Sequence, residues 1–550
     1  MRKIRINQMG YTPHSRKQFI YIGEEKEFSV LNVESNQVVF SGRISKSRLD
    51  EASNDMVSTG DFDSVTASGE YYIKILGETS YIFTIASNQP MICTDALLKG
   101  LYYQRCGVEL AEESAGPWKH VKCHLQPSYV FCQNAEVLLK VAPKMLEQLD
   151  TTGGWHDAGD YGRYSVATAK TVTDMMLAYE HYRSTFEHPI GILESNEKGS
   201  DILHEVKIGL NFLLKMQKTD GSVYTKVASR CFPGMIMPEE DTKPLYVFDI
   251  SSPATADFAA VMAMAARIYH EAEPVYAKIC LRAAHKSYQW LKSNPEPKLF
   301  KNPENVISGE YGDDSDLDER YFAAIQMYLT TKKMEYHEDF IEYYDKLKNR
   351  LGLSWRDVSG YGTAAYLLYI QSETNHAELD LESYEKLKKE WLEHAVLLAD
   401  RSKLDGYGIT LALNEYHWGS TMTLLGQAMH LIIANQLLGK PVYEDVIRNN
   451  WDYIFGRNPM DVSYVTGLGA NAIKSPHHRP SAADGVEAPV PGLLSGGPNK
   501  SLQDEAAREA CENNPPAKCF LDDTESFSTN EIDTYWNSVA IYVGAYLCNS

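Results

Sequence analysis

Asp157 and Asp160 stand three residues apart in the run Gly153-Gly154-Trp155-His156-Asp157-Ala158-Gly159-Asp160-Tyr161-Gly162-Arg163-Tyr164. The run mixes acid, aromatic and glycine residues and lacks the apolar period of a buried element. Glycines let the backbone turn tightly and bring side chains together. A carboxylate pair can hold and deprotonate a water, and aromatic faces stack on sugar rings. The competing reading is an Asx-rich turn ahead of a helix, since Asp and Gly dominate turns.

Two further groups have the residue types of metal sites. Cys106, the pair Cys123-His124, and His156 beside Asp157 form a closed Cys₂His₂ set of the kind that holds structural zinc. Buried free cysteines and core histidines are the alternative. The stretch from Ser308 to Glu319 is rich in hard oxygen donors suited to calcium. An acidic helix start, stabilised by the helix dipole, explains the same composition.

These residues need elements to position them. From 1 to 88, apolar residues alternate in short runs split by Gly, Asn, Ser and Asp turns, and Gly69-Glu70-Tyr71-Tyr72-Ile73-Lys74-Ile75 reads as a half-buried strand. This predicts a small immunoglobulin-like β-sandwich. From 89 to 550 the period becomes helical, with about twelve helices between 94 and 548. Helices joined by long glycine- and aromatic-rich connections predict six pairs closed into an α/α barrel. The fold class expected is mainly α. An open bundle or solenoid is the alternative, although no fixed period repeats. The long segment 480–518 is expected to be a lid, a wall or a tolerated insertion.

Composition narrows the function classes. Of 550 residues, 53 are Lys or Arg and 74 are Asp or Glu, a formal net charge of −21. Phosphate backbones need a basic surface, so nucleic acid is excluded as a partner. No apolar stretch is long enough to span a membrane. Nine cysteines, an odd number, do not make a disulfide framework. The N-terminus has no secretory h-region, so a cytosolic placement is expected, with a secreted protein trimmed of its leader as the alternative. Oligomeric state is not readable.

The run at 155–164 resembles the DAGD signature of glycoside hydrolase family 9. Ser463-Tyr464-Val465-Thr466-Gly467-Leu468-Gly469-Ala470-Asn471 with Pro476-His477-His478-Arg479 resembles that family's histidine signature. Phe520-Leu521-Asp522-Asp523, Phe527-Ser528-Thr529-Asn530-Glu531 and Trp536-Asn537-Ser538 resemble its glutamate signature. With the strand-rich leader, the likeness covers essentially the whole chain and is greatest to the subgroup with an N-terminal immunoglobulin-like module on an (α/α)6 barrel. The resemblance implies roles. Asp160 is the general base, Asp157 helps place the attacking water, and Glu531 is the general acid. Inversion needs one protonated and one ionised carboxyl about 6.5–9.5 Å apart. Glu531 is then expected to be held protonated by burial or neighbouring negative charge. His477 and Arg479 correspond to a sugar-binding pair. Trp155, Tyr164, Tyr464, Trp418 and Trp536 are candidate stacking platforms, with burial as core the equal alternative. The subgroup's structural zinc site resembles Cys106, Cys123, His124 and His156. Its calcium site would fall on Ser308, Gly309, Asp318 and Glu319, at a spacing longer than the family pattern.

The family implies an oligosaccharide substrate with β-1,4 bonds. Exo action on short chito- or cello-oligosaccharides is expected, with exo-β-D-glucosaminidase slightly ahead, for two reasons. An acidic protein suits a cationic sugar. Asp533, two residues after the acid where the family prefers a small residue, can bind an ammonium group or raise Glu531; alternatively it faces solvent. An endo-β-1,4-glucanase is the rival. A non-catalytic carbohydrate-binding protein is a third reading, and phosphorolysis a fourth, which would not need an Asp base.

Overall fold

The computed structural model describes residues 2–373 and 380–550. The chain divides into two compact units, one formed by Met1–Gly100 with Leu392–Ser550 and the other by Leu101–Trp391.

In the first unit the leader forms two antiparallel sheets. One joins Ile4–Arg5, Gln18–Ile22, Asp55–Asp61 and Arg48–Asp50. The other joins Val38–Arg43, Glu27–Asn32, Gly69–Ile75 and Glu78–Thr79, with Phe83–Ile85 paired to Gly69–Ile75. Inward residues of both sheets, among them Phe19, Phe28, Phe62, Tyr71 and Phe83, make one core. Edge-to-face pairs such as Phe19–Phe28, at 4.7 Å, favour that packing. The sandwich is joined to the C-terminal residues by polar contacts: Asn7 Nδ2 donates to Asp452 Oδ1 at 2.8 Å, and Gly406 N donates to Asp50 Oδ1 at 2.9 Å. Helix Ser420–Leu438 packs on Thr534–Cys548, both nearly all buried, and on the amphipathic Glu444–Ile454.

The second unit alternates two kinds of helix. Ser165–His181, Ser252–Ile268, Leu317–Thr331 and Ser359–Ser372 are largely buried and pack in succession. Asp201–Met216, Pro274–Ser293 and Met334–Lys346 bury one stripe and flank them. The cause is legible in the residues. Ser252–Ile268 is alanine-rich and buried from Ser252 to Ala266, as a helix covered on all sides must be. Pro253 in its first turn and the Ser251 side chain, which accepts Ala254 N, set its start.

Periodicity did not disclose the short strands. Gln148–Leu149, Ser128–Val130, Tyr246–Val247, Lys226–Ala228 and Arg163–Tyr164 form one sheet, in that order. Most are two residues long, too short to show alternation. Among the described residues no helix is long and apolar enough to cross a membrane.

Candidate active site

In the second unit, Asp157 and Asp160 lie on the turn that leads into Arg163–Tyr164 and then helix Ser165–His181. Asp157 N donates to Gly162 O at 3.0 Å, which closes the turn. Asp160 Oδ2 accepts Gly162 N at 2.8 Å and the Tyr164 phenol at 3.4 Å. Gly162 is required here: a Cβ would lie 2.7 Å from Asp160 Oδ2 and 2.4 Å from Tyr164 Oη. Gly154 has φ +78°, a left-handed conformation, and a Cβ there would meet the Phe212 ring at 2.8 Å.

Both carboxylates are buried. Burial pushes Asp157 well above the usual carboxylate range, and the neighbouring Asp160 charge adds to this. The Tyr311 phenol opposes it by donating to Asp157 Oδ2 at 2.5 Å. Gly309 N donates to Tyr164 Oη at 3.0 Å, and the Tyr164 and Tyr311 rings lie 4.6 Å apart. Tyr311 was not found from sequence; it sits in the stretch read as calcium donors, and nothing local marks it as a partner of Asp157.

The Cys–His set comes together beside this turn. One ligand atom from each of Cys106, Cys123, His124 and His156 lies within 4.8 Å of the others, and all four residues are buried. Backbone bonds strap the two segments: Cys106 N to Gly154 O at 2.8 Å and His156 N to Gln104 O at 2.7 Å. Gln104 Nε2 also donates to Ala158 O at 2.9 Å. Arg105, between them, is buried against Glu205 and Glu194, and Glu205 also takes the Trp155 indole at 2.6 Å. His124 turns Nδ1 toward the sulfurs, and its Nε2 lies 3.4 Å from Asp241 Oδ2. A ligating histidine characteristically gives its second ring nitrogen to a carboxylate. Burial works against a thiolate, yet hydrogen bonding from Cys123, with Arg163 and His156 nearby, holds Cys106 well below the usual thiol range. The donor set therefore fits a thiophilic ion such as zinc.

Ser308 is not available to calcium as expected. Its hydroxyl and carbonyl both face the ammonium of buried Lys226, at 3.1 and 3.2 Å, and Gly309 O takes the same ammonium at 2.6 Å. A second cation there would meet direct repulsion. Asp318 and Glu319 open helix Leu317–Thr331, and Asp318 Oδ2 accepts Val358 N at 3.0 Å. Among the described residues, Glu319 Oε2 and both oxygens of Asp257 have no hydrogen-bond partner, and the residues are only 1% and 2% exposed. Burial first, then mutual repulsion with Asp318 and Asp313, pushes both Asp257 and Glu319 well up. Sequence reasoning missed Asp257, which lies in the alanine-rich helix and reads there as a lone polar residue.

In the first unit, Glu531 follows the short helix Phe527–Asn530 in extended conformation. Its backbone is held on both sides. His477 bridges to it, with His477 N donating to Asn530 O at 2.9 Å, and Gly496 N donates to Glu531 O at 2.9 Å. Within segment 480–518, Ser495 bridges to Ile532. His477 Nδ1 lies 2.6 Å from Thr524 O, which sets the proton on Nδ1. Arg479 begins helix Arg479–Ala483 and is buried.

Several expectations are corrected. Trp155, Tyr464 and Trp536 are 2%, 0% and 3% exposed, so none presents an open face to a sugar. Tyr464 packs on Tyr453 and Phe520, and Trp536 covers Gly419 and Gly496. Tyr164 is also buried and acts as a hydrogen-bonding partner of Asp160. Trp418 is partly exposed, 5.5 Å from Phe527. Asp533 neither faces solvent nor stands ready for an ammonium group. It is the buried N-cap of helix Thr534–Cys548, and its Oδ1 accepts Tyr535 N at 3.2 Å.

Comparison with known proteins places this geometry. The family model for glycosyl hydrolase family 9 matches residues 93–544, and that for the cellulase N-terminal Ig-like domain matches 1–80. The chain belongs to glycosyl hydrolase family 9. It is 35% identical to a cellodextrinase of Butyrivibrio fibrisolvens, over 98% of this chain and 99% of that protein. A single mutant of the thermostable endoglucanase from Alicyclobacillus acidocaldarius has 33% identity and a TM-score of 0.92, with both chains fully covered. A Zn-binding triple mutant of the family 9 endoglucanase J30 has 30% identity and a TM-score of 0.90, over 98% of this chain and 99% of that one. The family 9 chain is an inverting O-glycosyl hydrolase of β-1,4 bonds, with an (α/α)6 barrel preceded by a small immunoglobulin-like sandwich.

Proposed function

We propose that this family 9 chain hydrolyses short β-1,4-glucan chains in the manner of a cellodextrinase. The reading rests on the buried carboxylate pair Asp157 and Asp160, hydrogen-bonded by Tyr311 and Tyr164, in a chain that aligns end to end with a cellodextrinase. Asp160 takes a proton from water as that water attacks the anomeric carbon. Asp157 holds the water in line, and Glu531 protonates the leaving glycosidic oxygen. The products are a sugar of inverted anomeric configuration and a shortened chain. His477 and Arg479 supply hydrogen-bond donors to sugar hydroxyls. The glucosaminidase reading loses its residue-level support, because Asp533 is engaged as a helix cap.

In the same reading, zinc is held by Cys106, Cys123, His124 and His156, supports the catalytic turn through His156, and takes no part in bond making. Calcium is held among Asp257, Asp318 and Glu319; both Asp257 oxygens and Glu319 Oε2, buried without a hydrogen-bond partner among the described residues, suit a hard cation.

The test is product analysis on cellotetraose and chitosan oligomers with NMR of the anomeric proton. Glucose or cellobiose of inverted configuration is expected. Release of glucosamine, or retained configuration, would overturn the reading. A second reading, endo-β-1,4-glucanase, draws on the Alicyclobacillus acidocaldarius enzyme; a rapid fall in viscosity of soluble cellulose would favour it. Asp160→Asn and Glu531→Gln are each expected to lose about 10²–10⁴-fold in kcat while still binding cellotetraose.

A further inference from the structure

Lys226 is fully buried, and among the described residues no carboxylate is in contact with its ammonium. Its partners are Asn302 Oδ1 at 2.6 Å, Gly309 O at 2.6 Å, and Ser308 Oγ and O at 3.1 and 3.2 Å. The rings of Phe248, Phe300 and Tyr164 lie 4.7, 5.5 and 5.8 Å from it. A charge buried without a counter-ion costs stability, and an apolar side chain of that volume would cost less. What the charge does is visible in the loop it holds.

We propose that Lys226 is a positioning residue for both catalytic carboxylates, clamping the 308–311 loop whose backbone and side chains set Asp160 and Asp157. The inference rests on the reading of Asp160 as base. The clamp works by orientation. With the Ser308 and Gly309 carbonyls drawn to the ammonium, the Gly309 N–H points to Tyr164 Oη, 3.0 Å away. That contact occupies an acceptor site of the phenol and leaves its proton for Asp160 Oδ2 at 3.4 Å. Two residues further on, Tyr311 adopts φ 48° and donates to Asp157 Oδ2 at 2.5 Å.

Strand pairing fixes the geometry at the other end, because Tyr164 lies opposite Lys226 in the ladder between Arg163–Tyr164 and Lys226–Ala228. Asn302 braces the same loop: its Nδ2 donates to Ser308 O at 2.8 Å, and its N–H donates to Glu310 Oε2 at 2.8 Å. Burial lowers the ammonium toward about 7, while the charges of Asp160 and Glu310 support it.

The experiment compares Lys226→Met, Tyr164→Phe, the double variant and Asp160→Asn, in steady state on cellotetraose, with folding checked by thermal melting. Lys226→Met is expected to lose roughly 10- to 100-fold in kcat, because sub-ångström misplacement of a catalytic group has that scale. Its KM should stay within about twofold. The double variant should lose no more than the worse single variant, since both substitutions break one relay. Lys226→Met with kcat within about twofold of the parent, or losses that multiply in the double variant, would overturn the inference. If Lys226→Met does not fold, Asn302→Ala, which removes one brace and keeps the cation, is expected to show the same kcat loss in smaller degree without a change in KM; an unchanged kcat there rejects the clamp. Asp160→Asn with parental turnover instead rejects the base assignment, so the two failures are distinguishable.

Discussion

The Tyr311 phenol donates to Asp157 Oδ2 at 2.5 Å across 154 positions of sequence. The bond favours ionised Asp157 against a burial that favours the protonated form. Tyr311→Phe should therefore raise Asp157 further and move the acidic limb of the kcat/KM pH profile upward. A hydrogen bond to a charged group is worth about 1.5–3 kcal/mol, so the loss in kcat/KM is expected to be about ten- to hundredfold. A pH–rate profile on cellotetraose checks both.

The Cys–His set leads to a metal prediction. The protein as purified should hold one zinc per chain by elemental analysis, and chelation should lower its melting temperature. Asp241→Asn weakens the acceptor facing His124 Nε2 and should reduce zinc affinity by about 10–100-fold while leaving all four ligands in place. Competition with a chromophoric chelator measures it.

The calcium site proposed at Asp257, Asp318 and Glu319 leads to a pH prediction. Burial raises all three, Asp318 to about 6. In the cation-free protein the stabilising contribution of Asp318 is therefore full below the unfolded carboxylate range and is lost as pH rises through about 6, while those of Asp257 and Glu319, raised further by burial, are lost at higher pH. Calcium should reverse that loss, adding about 2.7 kcal/mol at a hundredfold excess over Kd. Thermal melts at pH 7.5 with calcium or chelator should separate clearly for the parent and much less for Asp257→Asn.

Asp405 supplies a second, metal-independent slope. Burial and the nearby Asp50 charge raise it to about 7, against the Tyr407 and Ile409 amides that hydrogen-bond to it. Since the folded value is the higher one, stability falls as pH climbs from about 4 to 7, by up to about 1.4 kcal/mol per unit. Asp405→Asn keeps an oxygen for both amides and should flatten that part of the curve. Urea denaturation from pH 4 to 8, parent against variant, reads the difference.

Much of the fold was legible because helix and strand periods are local. Ser252–Ile268 and Pro274–Ser293 are among the helices expected between 94 and 548, and the strand expected at 69–75 is Gly69–Ile75. The strands around the catalytic turn were not legible, since elements of two or three residues contain no more than one and a half repeats of the two-residue period. Aromatic residue type could not separate platform from core: Trp155, Tyr464 and Trp536 belong to the core, and Trp418 is partly exposed. For Asp533 the signal was present but misread, because an Asp just before a long apolar helix is a capping residue first.

The sequence by itself determined which residues bear the chemistry: the acids, the thiols and imidazoles, and the glycines that let the turn close. Residue type and near-neighbour spacing are written directly in the chain. Only the tertiary structure decided what surrounds them. It joins Lys226 to Gly309 across 83 positions and His124 to Asp241 across 117, leaves the buried Asp257 carboxyl with no hydrogen-bond partner among the described residues, and turns Asp533 into a helix cap. The physical reason is that hydrogen bonds and desolvation depend on distance in space, which chain packing fixes and sequence separation does not.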